Sequence, residues 1–314
     1  MWIISSTTAA LKPTAIALGN FDGVHLGHKM VMQPILEPVG TNRETVIATV
    51  VTFNPHPREF FSGISRKLLT PRQEKVQQLD LLGIKQLVLL PFNRELAAFS
   101  PQEFVAEILV SQLQATHISV GADFRFGKQR AGTALDLRTI ASQFGIPVTI
   151  ADLKKYQLNQ DSEQVRISSS RIREALSLGD IETANLLLGR PYTLTGKVVT
   201  GQQLGRTIGF PTANLQLQED KFLPRQGVYC VKVILSSKQV IKGVMNLGCR
   251  PTVDGIHPTV EVHLLDWSGD LYGQEIIVSL HKFLRPEQKF ASLDELKTQI
   301  AADCTTTRDY LEAK

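Results

Sequence analysis

The sequence lacks long hydrophobic runs, is poor in cysteine and carries little net charge, and each shortage excludes a class of protein. No apolar stretch approaches the roughly 20 residues of a membrane-spanning helix, and the first residues lack the regions of a signal peptide, so we expect no membrane association. Three widely spaced cysteines without a CxxC pair argue against a disulfide scaffold and indicate the reducing cytoplasm. A net charge of +4 with no basic block argues against nucleic-acid binding.

The length and the overall composition indicate a globular protein of two domains. The chain has 314 residues, of which 43% are hydrophobic and 20% are charged, whereas one domain usually takes roughly 100–200 residues. Helix-length patterns stop just before Gly189-Arg190-Pro191, and short alternating runs follow. We therefore expect one domain over residues 1–186 and a second over 187–314, in a monomer or a weak homo-oligomer.

The first domain alternates strand patterns with helix patterns. Amphipathic helix patterns such as 72–82 and 101–113 separate short, continuous apolar runs at 15–18, 46–51, 87–90, 118–120 and 148–150. Thr70 and Ser100 each precede a proline and are candidate N-caps of these two helices. Apolar strands separated by helices predict an α/β fold, a doubly wound parallel sheet covered on both faces.

The second domain has the pattern of a small antiparallel β-barrel. Short alternating runs, separated by turn residues, occur at 194–199, 227–235, 240–245, 259–265 and 275–280. A final amphipathic helix is predicted from Leu293 to about Ala302. Ser292 is its candidate N-cap, and Glu295 completes a capping box.

A glycine-rich turn with two histidines, GNFDGVHLGH at 19–28, follows the first predicted strand and opens onto a helix. Ligands of a doubly wound sheet bind at the carboxyl ends of its strands, and the next helix offers free N–H groups to a phosphate. His25 and His28 are three residues apart, so both can face one side of the first helical turn. There they could stabilise the charge that develops on a phosphorus atom under attack.

Other interpretations of this segment were compared with the phosphate site. A dinucleotide fingerprint GxGxxG is absent, and 121–128 departs from a P-loop by one extra spacer and by Gln129 in place of serine or threonine. Zinc binding by His25 and His28 would need a further ligand, for which His56 is the obvious candidate. A pair of surface histidines is the ordinary interpretation of an isolated HxxH, but its place after a strand and a glycine turn favours a phosphate site.

A second dense motif, GRTIGFPTANL at 205–215, lies in the second domain. Thr212 and Asn214 are two apart in an extended stretch, so they share a face and offer the hard oxygen ligands that Mg²⁺ prefers. Gly205 belongs to a loop flexible enough to fold over ATP, and Arg206 could approach a phosphate. An ordinary glycine-rich hairpin is the alternative.

Glu261 and His263 share one face of the predicted strand at 259–265, and apolar residues share the other. A carboxylate facing a pocket could act as the general base for a hydroxyl group, whereas one facing solvent would have no catalytic part. The pattern alone leaves both possibilities open.

These motifs resemble one family over nearly the whole chain. HxGH with a serine-rich helix start, SSSR, resembles the nucleotidylyltransferase superfamily. GNFDGVHLGH, TFNPHPREF, LTPRQEK, VGADFRFG and ISSSRIR resemble the adenylyltransferase module of the bifunctional bacterial riboflavin kinase/FAD synthetases. GRTIGFPTANL, GVYCVKV, MNLGCRPT and EVHLLD resemble the riboflavin kinase module of the same family.

The resemblance implies a set of residues for each reaction. In the first domain, His25, His28 and Arg173 would act on the transferred phosphate, and the nucleotide would be bound by Gly19, Asn20, Phe21, Asp22, Gly23, Asp123, Ser169 and Ser170. The flavin would be contacted there by Pro55, His56, Pro57, Phe124 and Phe126. In the second domain, Thr212 and Asn214 would hold Mg-ATP with Gly205 and Arg206, Glu261 would take the hydroxyl proton, and the flavin would be contacted by Asn246 and Arg285. Two departures, Ser170 for the usual threonine and Ala122 for a larger or acidic residue, remove no group that the reaction needs.

The resemblance implies an enzyme that makes flavin cofactors. The second domain would phosphorylate riboflavin to FMN with Mg-ATP and release ADP, and the first would adenylylate FMN with ATP to FAD and release pyrophosphate. One alternative is an adenylyltransferase for another substrate with the barrel as a specificity module, which leaves GFPTANL and Glu261 unexplained. Another is a flavin-binding or sensing protein without catalysis, but this chain keeps His25, His28, Asn214 and Glu261.

Overall fold

The computed structural model describes residues 1–36, 46–152, 155–157, 164–201, 204–252 and 255–313. Internal contacts divide the chain into two compact units, Met1–Ser169 and Ser170–Lys314. The predicted boundary at 186/187 separates two functional modules, which need not coincide with the two compact units. It remains a prediction. Among the described helices, none is both long and apolar enough to cross a membrane.

The first unit is built on a parallel sheet. Its strands in chain order are β1 Trp2–Ile4, β2 Thr14–Leu18, β3 Ile47–Asn54, β4 Gln86–Pro91, β5 Ala115–Gly121, β6 Arg125–Phe126, β7 Gly132–Thr133, β8 Val148–Ala151, β9 Lys155–Gln157 and β10 Gln164–Arg166. Six of them form one sheet in the order β1-β4-β3-β2-β5-β8, with every pair parallel. The predicted α/β class is confirmed, and the edge strand β1 is an addition to the prediction.

Helices cover both faces of this sheet. They are α1 Leu26–Leu36, α2 Pro57–Ser62, α3 Arg72–Leu81, α4 Arg94–Ala98, α5 Pro101–Glu103 with a π-helical continuation Phe104–Gln112, and α6 Ala134–Ser142. Every residue of β2 is buried, because Ile16 packs in a core that includes Leu109 and Leu137, whereas Ala15 and Ala17 pack in a second core. A strand buried on both faces is continuously apolar, which explains the unbroken run in the sequence.

The two candidate helix caps have different outcomes. Ser100 accepts a hydrogen bond from the backbone N–H of Glu103, whose side chain accepts one from the N–H of Ser100, so this cap is confirmed as a full capping box. The Thr70 prediction was wrong, because Pro71 occupies the N-cap of α3 without any side-chain hydrogen bond. The hydroxyl of Thr70 is used elsewhere, as shown below.

The order of the strands determines where a ligand can bind. The chain leaves β2 through α1 and enters β3 on one side, whereas β5 lies on the other side of β2. The sheet therefore has a topological switch point between β2 and β5, and such a point opens a crevice at the carboxyl ends of the strands. The glycine turn at 19–25 begins at that end of β2.

The second unit is a closed barrel with a C-terminal helix. Helix α7 Ser169–Leu178 begins at the division, and the elements that follow are α8 Ile181–Leu188, β11 Tyr192–Val199, α9 Leu204–Thr207, β12 Ala213–Leu217, β13 Gly227–Ile234, β14 Val240–Thr252, β15 Gly255–Leu264, β16 Glu275–Arg285 and α10 Leu293–Glu312. The barrel closes in the order β11-β12-β15-β14-β13-β16, and its pairs are antiparallel. The predicted barrel and C-terminal helix are confirmed. Ser292 is the N-cap of α10, as predicted, but the capping box was wrong, because the Glu295 side chain accepts a hydrogen bond from the N–H of Ala291 and not of Ser292.

Candidate active sites

The glycine turn after β2 has a strained backbone that its buried side chains hold in place. Phe21, Gly23 and Val24 have φ values of 50°, 92° and 42°, which lie in the left-handed region that bulky side chains avoid. Phe21 and Val24 are each only 1% exposed. A Cβ built on Gly19 would lie 3.1 Å from the Phe21 ring, so glycine leaves the room that this ring needs. The packing of Phe21 and Val24 in the core therefore holds the turn in this strained conformation.

The carboxylate of Asp22 holds this turn against the loop before α3. Its Oδ1 accepts a hydrogen bond of 3.1 Å from the backbone N–H of Thr70. The Thr70 hydroxyl accepts one of 2.8 Å from the N–H of Gly23, and the Ser169 hydroxyl donates one of 2.8 Å to the Asp22 carbonyl. Asp22 and Thr70 are buried, so these bonds position the turn. These bonds bring the predicted residues Asp22 and Ser169 together, and they show that Thr70, which was not a predicted site residue, belongs to the same cluster.

The two histidines stack at the start of α1. Their ring centroids lie 3.5 Å apart at an interplanar angle of 14°. His25 is buried, and its Nδ1 accepts a hydrogen bond of 3.2 Å from the backbone N–H of His28. Because Nδ1 accepts, a neutral His25 ring carries its proton on Nε2. A Cβ on Gly27 would lie 3.2 Å from the His25 ring, which explains glycine between the histidines.

His28 is the more accessible of the two histidines. It is half-buried, with the edge of the Phe21 ring at a centroid distance of 5.2 Å and the His25 ring on one face. These two neighbours fix its orientation. His25 thus supports the helix start, and His28 is the more exposed imidazole of the pair.

Two basic side chains approach the predicted nucleotide residues. Lys75, in the first turn of α3, donates a hydrogen bond of 2.9 Å from Nζ to the carbonyl of the exposed Asn20. Arg166, in β10, forms an ion pair with Asp123 beyond the end of β5. Neither cation was among the predicted site residues. Lys75 lies within the quoted motif LTPRQEK, whereas no local pattern marked Arg166.

His56 follows the carboxyl end of β3, between Pro55 and Pro57, and is the N-cap of α2. Its Nδ1 accepts a hydrogen bond of 3.0 Å from the N–H of Arg58, and Glu59 accepts one of 3.2 Å from the N–H of His56. The Arg66 guanidinium lies 3.3 Å from Nε2. Burial and, next, the charge of Arg66 lower the pKa of His56 from 6.5 to about 4. At neutral pH the site therefore presents a neutral imidazole.

The lowered pKa of His56 predicts a stability difference that appears only in acid. In the unfolded chain His56 is protonated below about pH 6.5, whereas in the folded chain it is protonated only below about pH 4. The contribution of His56 to the free energy of unfolding is therefore fully present above pH 6.5 and is lost as the pH falls toward 4. The comparison is with His56→Asn, which keeps a capping group but does not titrate. Between pH 7.5 and pH 4.5 the free energy of unfolding of the parent should fall by about 1–2 kcal/mol more than that of the variant, allowing for partial exposure. Denaturant unfolding at pH 7.5 and pH 4.5 measures this difference, and identical pH profiles would contradict it.

The two predicted flavin-contacting phenylalanines have different environments. Phe126 is 3% exposed and packs in the core against Phe104 at a centroid distance of 5.6 Å. Phe124 is half-buried and stacks on Phe126 at 5.7 Å and 15°. The buried ring supports the outer one, so Phe124 is the more exposed of the two rings, and the predicted flavin contact of both stays a prediction.

The serine-rich helix start is divided between the two units. Ser169 belongs to the first unit, whereas Ser170 and Arg173 belong to the second. The guanidinium of Arg173 lies over the Phe222 ring at 5.8 Å. The predicted part of Ser170 and Arg173 in phosphate binding remains a prediction.

A row of polar residues crosses three strands of the barrel. Asn214 on β12 is the register partner of Glu261 on β15, which is in turn the partner of Asn246 on β14. Glu261 and Asn246 line a cavity of about 330 Å³ together with Thr212, His263 and Arg285. Val260 and Val262 are buried on the opposite face of β15. The structure thus places the Glu261 carboxylate in a cavity wall.

His263 lines the same cavity, but its ring is engaged. Its Nδ1 lies 2.8 Å from the carbonyl of Pro211, to which it donates, and the ring packs edge-on against Phe210 at 5.5 Å. These contacts tie β15 to the loop that carries Thr212. Because Nδ1 donates, a neutral His263 ring keeps an acceptor at Nε2, so both Glu261 and His263 offer a proton acceptor on this strand face.

The residues around Asn214 and Thr212 fit a magnesium-nucleotide complex. A Cβ on Gly201 would lie 2.3 Å from the Asn214 side-chain amide, and one on Gly205 would lie 2.3 Å from the Phe210 carbonyl oxygen, so both positions need glycine. No group of three or more His, Cys, Asp or Glu within the described residues could hold a metal. Neutral oxygen donors suit Mg²⁺ that takes its remaining ligands from nucleotide phosphates and water. The side chain of Arg206 lies outside the described residues.

Asn246 and Arg285, the predicted flavin contacts of the barrel, are both held by carboxylates. The Asn246 amide donates a hydrogen bond of 3.3 Å to Glu287, and a Cβ on Gly248 would lie 2.3 Å from the same carboxylate. Arg285 forms a two-pronged ion pair with Asp303 of α10. Neither Glu287 nor Asp303 was among the predicted site residues, because both contacts join residues that belong to no common motif.

Comparison with known protein families identifies the family to which this chain belongs. A family model described as FAD synthetase matches residues 7–171, and one described as riboflavin kinase matches residues 188–311. The bifunctional riboflavin kinase/FMN adenylyltransferase of Escherichia coli (strain K12) is 42% identical over 296 residues, which cover 94% of this chain and 92% of that protein. The chain belongs to the bifunctional riboflavin kinase/FMN adenylyltransferase family. The resemblance predicted from the motifs is confirmed.

Other members of this bifunctional family are similar over the whole length. The proteins of the same description from Haemophilus influenzae and Bacillus subtilis are 36% and 37% identical, and they cover 99% and 92% of this chain. A crystal structure described as a macrolide-efflux protein from Streptococcus pneumoniae is 31% identical, covers 98% of both chains and has a TM-score of 0.85. Neither family model names efflux.

Each site lies within the region of one family model. The glycine turn, the stacked histidines and Ser169 fall within the FAD synthetase match, and the row Asn214–Glu261–Asn246 falls within the riboflavin kinase match. The two activities named for the bifunctional family thus have separate candidate sites in this chain.

Proposed function

We propose that this chain makes FAD from riboflavin in two steps. The barrel phosphorylates riboflavin to FMN with ATP, and the α/β unit adenylylates FMN to FAD with a second ATP. The observation that carries the proposal is the pair of separate polar sites, each inside the family match that names its reaction. ATP is the nucleotide co-substrate at both.

The first reaction is assigned to the cavity on the barrel. Glu261 accepts the proton of the ribityl hydroxyl group as it attacks the terminal phosphate of ATP, and Asn246 and Arg285 contact the flavin. The apolar lining from Val228, Leu296 and Ile300 suits a flavin ring. Positioning and charge neutralisation dominate such phosphoryl transfers.

Thr212 and Asn214 are assigned to Mg²⁺ bound with ATP. The ion neutralises charge on the transferred phosphate when it is bound. The chain's own part is to present two hard oxygen donors beside the Glu261 carboxylate, which the register of β12 and β15 achieves. Gly201 lets the preceding loop pack directly against the Asn214 side chain.

The second reaction is assigned to the turn after β2. His28 stabilises the charge on the α-phosphate of ATP as FMN attacks and pyrophosphate leaves, and His25 holds the helix start beneath it. Asn20, Lys75 and Asp123 border the nucleotide, and Phe124 contacts the flavin ring. Free N–H groups at the start of α1 add favourable interactions with phosphate.

Two other functions find less support. An adenylyltransferase for a different substrate would leave the cavity around Glu261 without a purpose. A flavin sensor without catalysis would not need a carboxylate in register with the two asparagines Asn214 and Asn246. We also propose a cytoplasmic location, supported by three cysteines that are all free thiols.

A time course with riboflavin, ATP and Mg²⁺ tests the whole proposal. We expect FMN to appear first and FAD to follow, with ADP and pyrophosphate as the nucleotide products, as measured by chromatography. Supplying FMN in place of riboflavin should give FAD without ADP. Accumulation of FMN without any FAD would contradict the assignment of the α/β unit.

The barrel unit should phosphorylate riboflavin on its own. Helix α8 packs against β11 and β16, and the Asn185 side chain bonds the Leu280 carbonyl and the Tyr192 N–H at 2.8 and 2.7 Å. A fragment 170–314 should therefore fold and convert riboflavin to FMN, with no FAD. A fragment 187–314 should make FMN too, but it should unfold at lower temperature because it lacks α8. If folded 170–314 makes no FMN while the whole chain does, the kinase chemistry is not confined to the barrel.

A further inference from the structure

We infer that Asp303 is a positioning residue for the kinase reaction, because its carboxylate fixes the Arg285 guanidinium in the wall of the cavity with donors left for the flavin. The inference rests on the proposed kinase function. It assigns part of the flavin site to the C-terminal helix α10, which follows the barrel in sequence and lines the cavity with Leu296, Ile300 and Asp303.

The contact between Arg285 and Asp303 is two-pronged and largely buried. Nε of Arg285 lies 3.1 Å from both carboxylate oxygens, and Nη2 lies 2.8 Å from Oδ2. The side chains are 17% and 7% exposed. Oδ1 also accepts a hydrogen bond of 3.1 Å from Gln299, one turn earlier on α10. Such a pair fixes the plane of the guanidinium as well as its position.

Arg285 keeps donors for a ligand. A guanidinium has five N–H groups. Nε and Nη2 use one each on Asp303, and Nη1 donates to the Pro286 carbonyl at 3.2 Å, so two N–H groups have no acceptor within the described residues. Phe290 lies under the guanidinium at 5.8 Å. A flat donor group beside an apolar wall suits a planar ring edged with carbonyl oxygens, which is the chemistry of a flavin.

Asp303 also keeps Arg285 away from the other carboxylates of the cavity. Glu261 and Glu287 line the same space. Without its partner, a largely buried guanidinium would be drawn to one of them, because an unpaired buried charge is costly. Pairing with Glu287 would compete with its bond to Asn246, the other proposed flavin contact, so flavin binding would weaken while Glu261 stays available as the base.

The test is a kinetic comparison of Asp303→Asn with the parent enzyme. The amide keeps the size of the side chain but loses the charge and one acceptor. We expect the KM for riboflavin to rise about tenfold, roughly the effect of one lost hydrogen bond, while kcat changes by less than about threefold. Asp303→Glu restores a carboxylate and should recover at least part of the increase in KM. FMN adenylylation, measured in the same samples, should match the parent.

Asp266→Asn is the matched control. Asp266 forms a similar two-pronged ion pair with Arg308, at 2.9 and 3.2 Å, which also joins α10 to the barrel but does not line the cavity. It should leave the KM unchanged. Equal effects of the two asparagine variants, an unchanged KM in Asp303→Asn, or no recovery in Asp303→Glu would each overturn the inference. A parent enzyme that makes no FMN would instead refute the proposed function.

Discussion

Glu261→Gln should reduce FMN formation by about 10²–10⁴-fold, the usual range for loss of a general base. Glutamine keeps the shape of the side chain and its place opposite Asn214 and Asn246, but it cannot take the proton of the ribityl hydroxyl. Flavin binding should change little, and conversion of FMN to FAD should stay at the parent rate. Initial rates with riboflavin and with FMN, followed by chromatography, measure both effects.

His263→Gln is the control for Glu261→Gln. His263 lines the same cavity, but its Nδ1 already donates to the Pro211 carbonyl. Its Nε2 remains able to accept a proton, so this variant tests the alternative base directly. With Glu261 as the base, the substitution of His263 should cost less activity than that of Glu261. The opposite ranking, with Glu261→Gln close to the parent rate, would move the base to His263 and contradict the assignment.

His28→Ala should abolish most FAD formation while riboflavin phosphorylation continues. Removing an imidazole aimed at the transferred phosphate should cost roughly 2–4 kcal/mol of transition-state stabilisation, by analogy with lost oxyanion donors. FMN should therefore accumulate when riboflavin is supplied. The neighbouring ring of His25 cannot replace it, because its Nδ1 is bonded to the backbone of residue 28 and the ring is buried.

His117→Ala is the matched control for His28→Ala. His117 lies within β5 of the same unit and bonds the Thr149 hydroxyl at 2.9 Å, away from the carboxyl ends of the strands. Its loss should leave the rate of FAD formation near that of the parent. Equal losses of FAD in the two variants, or a loss of FMN formation in His28→Ala, would show a folding defect in place of a catalytic role.

The fold could be predicted from the sequence where a segment carries its own pattern. The central strands β2, β3 and β4 are largely buried on both faces, so each appears as an apolar run of the right length. Trp2–Ile4 and Ala213–Leu217 were not among the predicted strands, although runs as short as 118–120 were, so shortness alone does not explain the difference. Their pairing partners are remote, and only the folded sheets select them.

The C-terminal helix shows where tertiary packing outweighs local preference. It was predicted to end near Ala302, but it runs to Glu312 through three consecutive threonines, which favour helices weakly. Thr305 and Thr306 donate hydrogen bonds to the carbonyls four residues earlier, and Thr307 is fully buried. Contacts of this face with the barrel stabilise the extra turns.

The residues of the candidate sites could likewise be predicted only where they belong to a local motif. His25, His28, Asn214 and Glu261 belong to local motifs, so the sequence marked them. Thr70 was taken for a helix cap, because nothing near it shows that its partners are Asp22 and Gly23, more than forty residues earlier. Asp303 carries no motif, and only the folded barrel brings it to Arg285.

A mixture of two variants tests the central claim, that two independent sites act in sequence. Glu261→Gln and His28→Ala, each supplied with riboflavin, ATP and Mg²⁺, should make almost no FAD alone. An equimolar mixture of the two should make FAD, because His28→Ala supplies the FMN that Glu261→Gln can adenylylate. A mixture that makes no more FAD than either variant alone would contradict two separate sites.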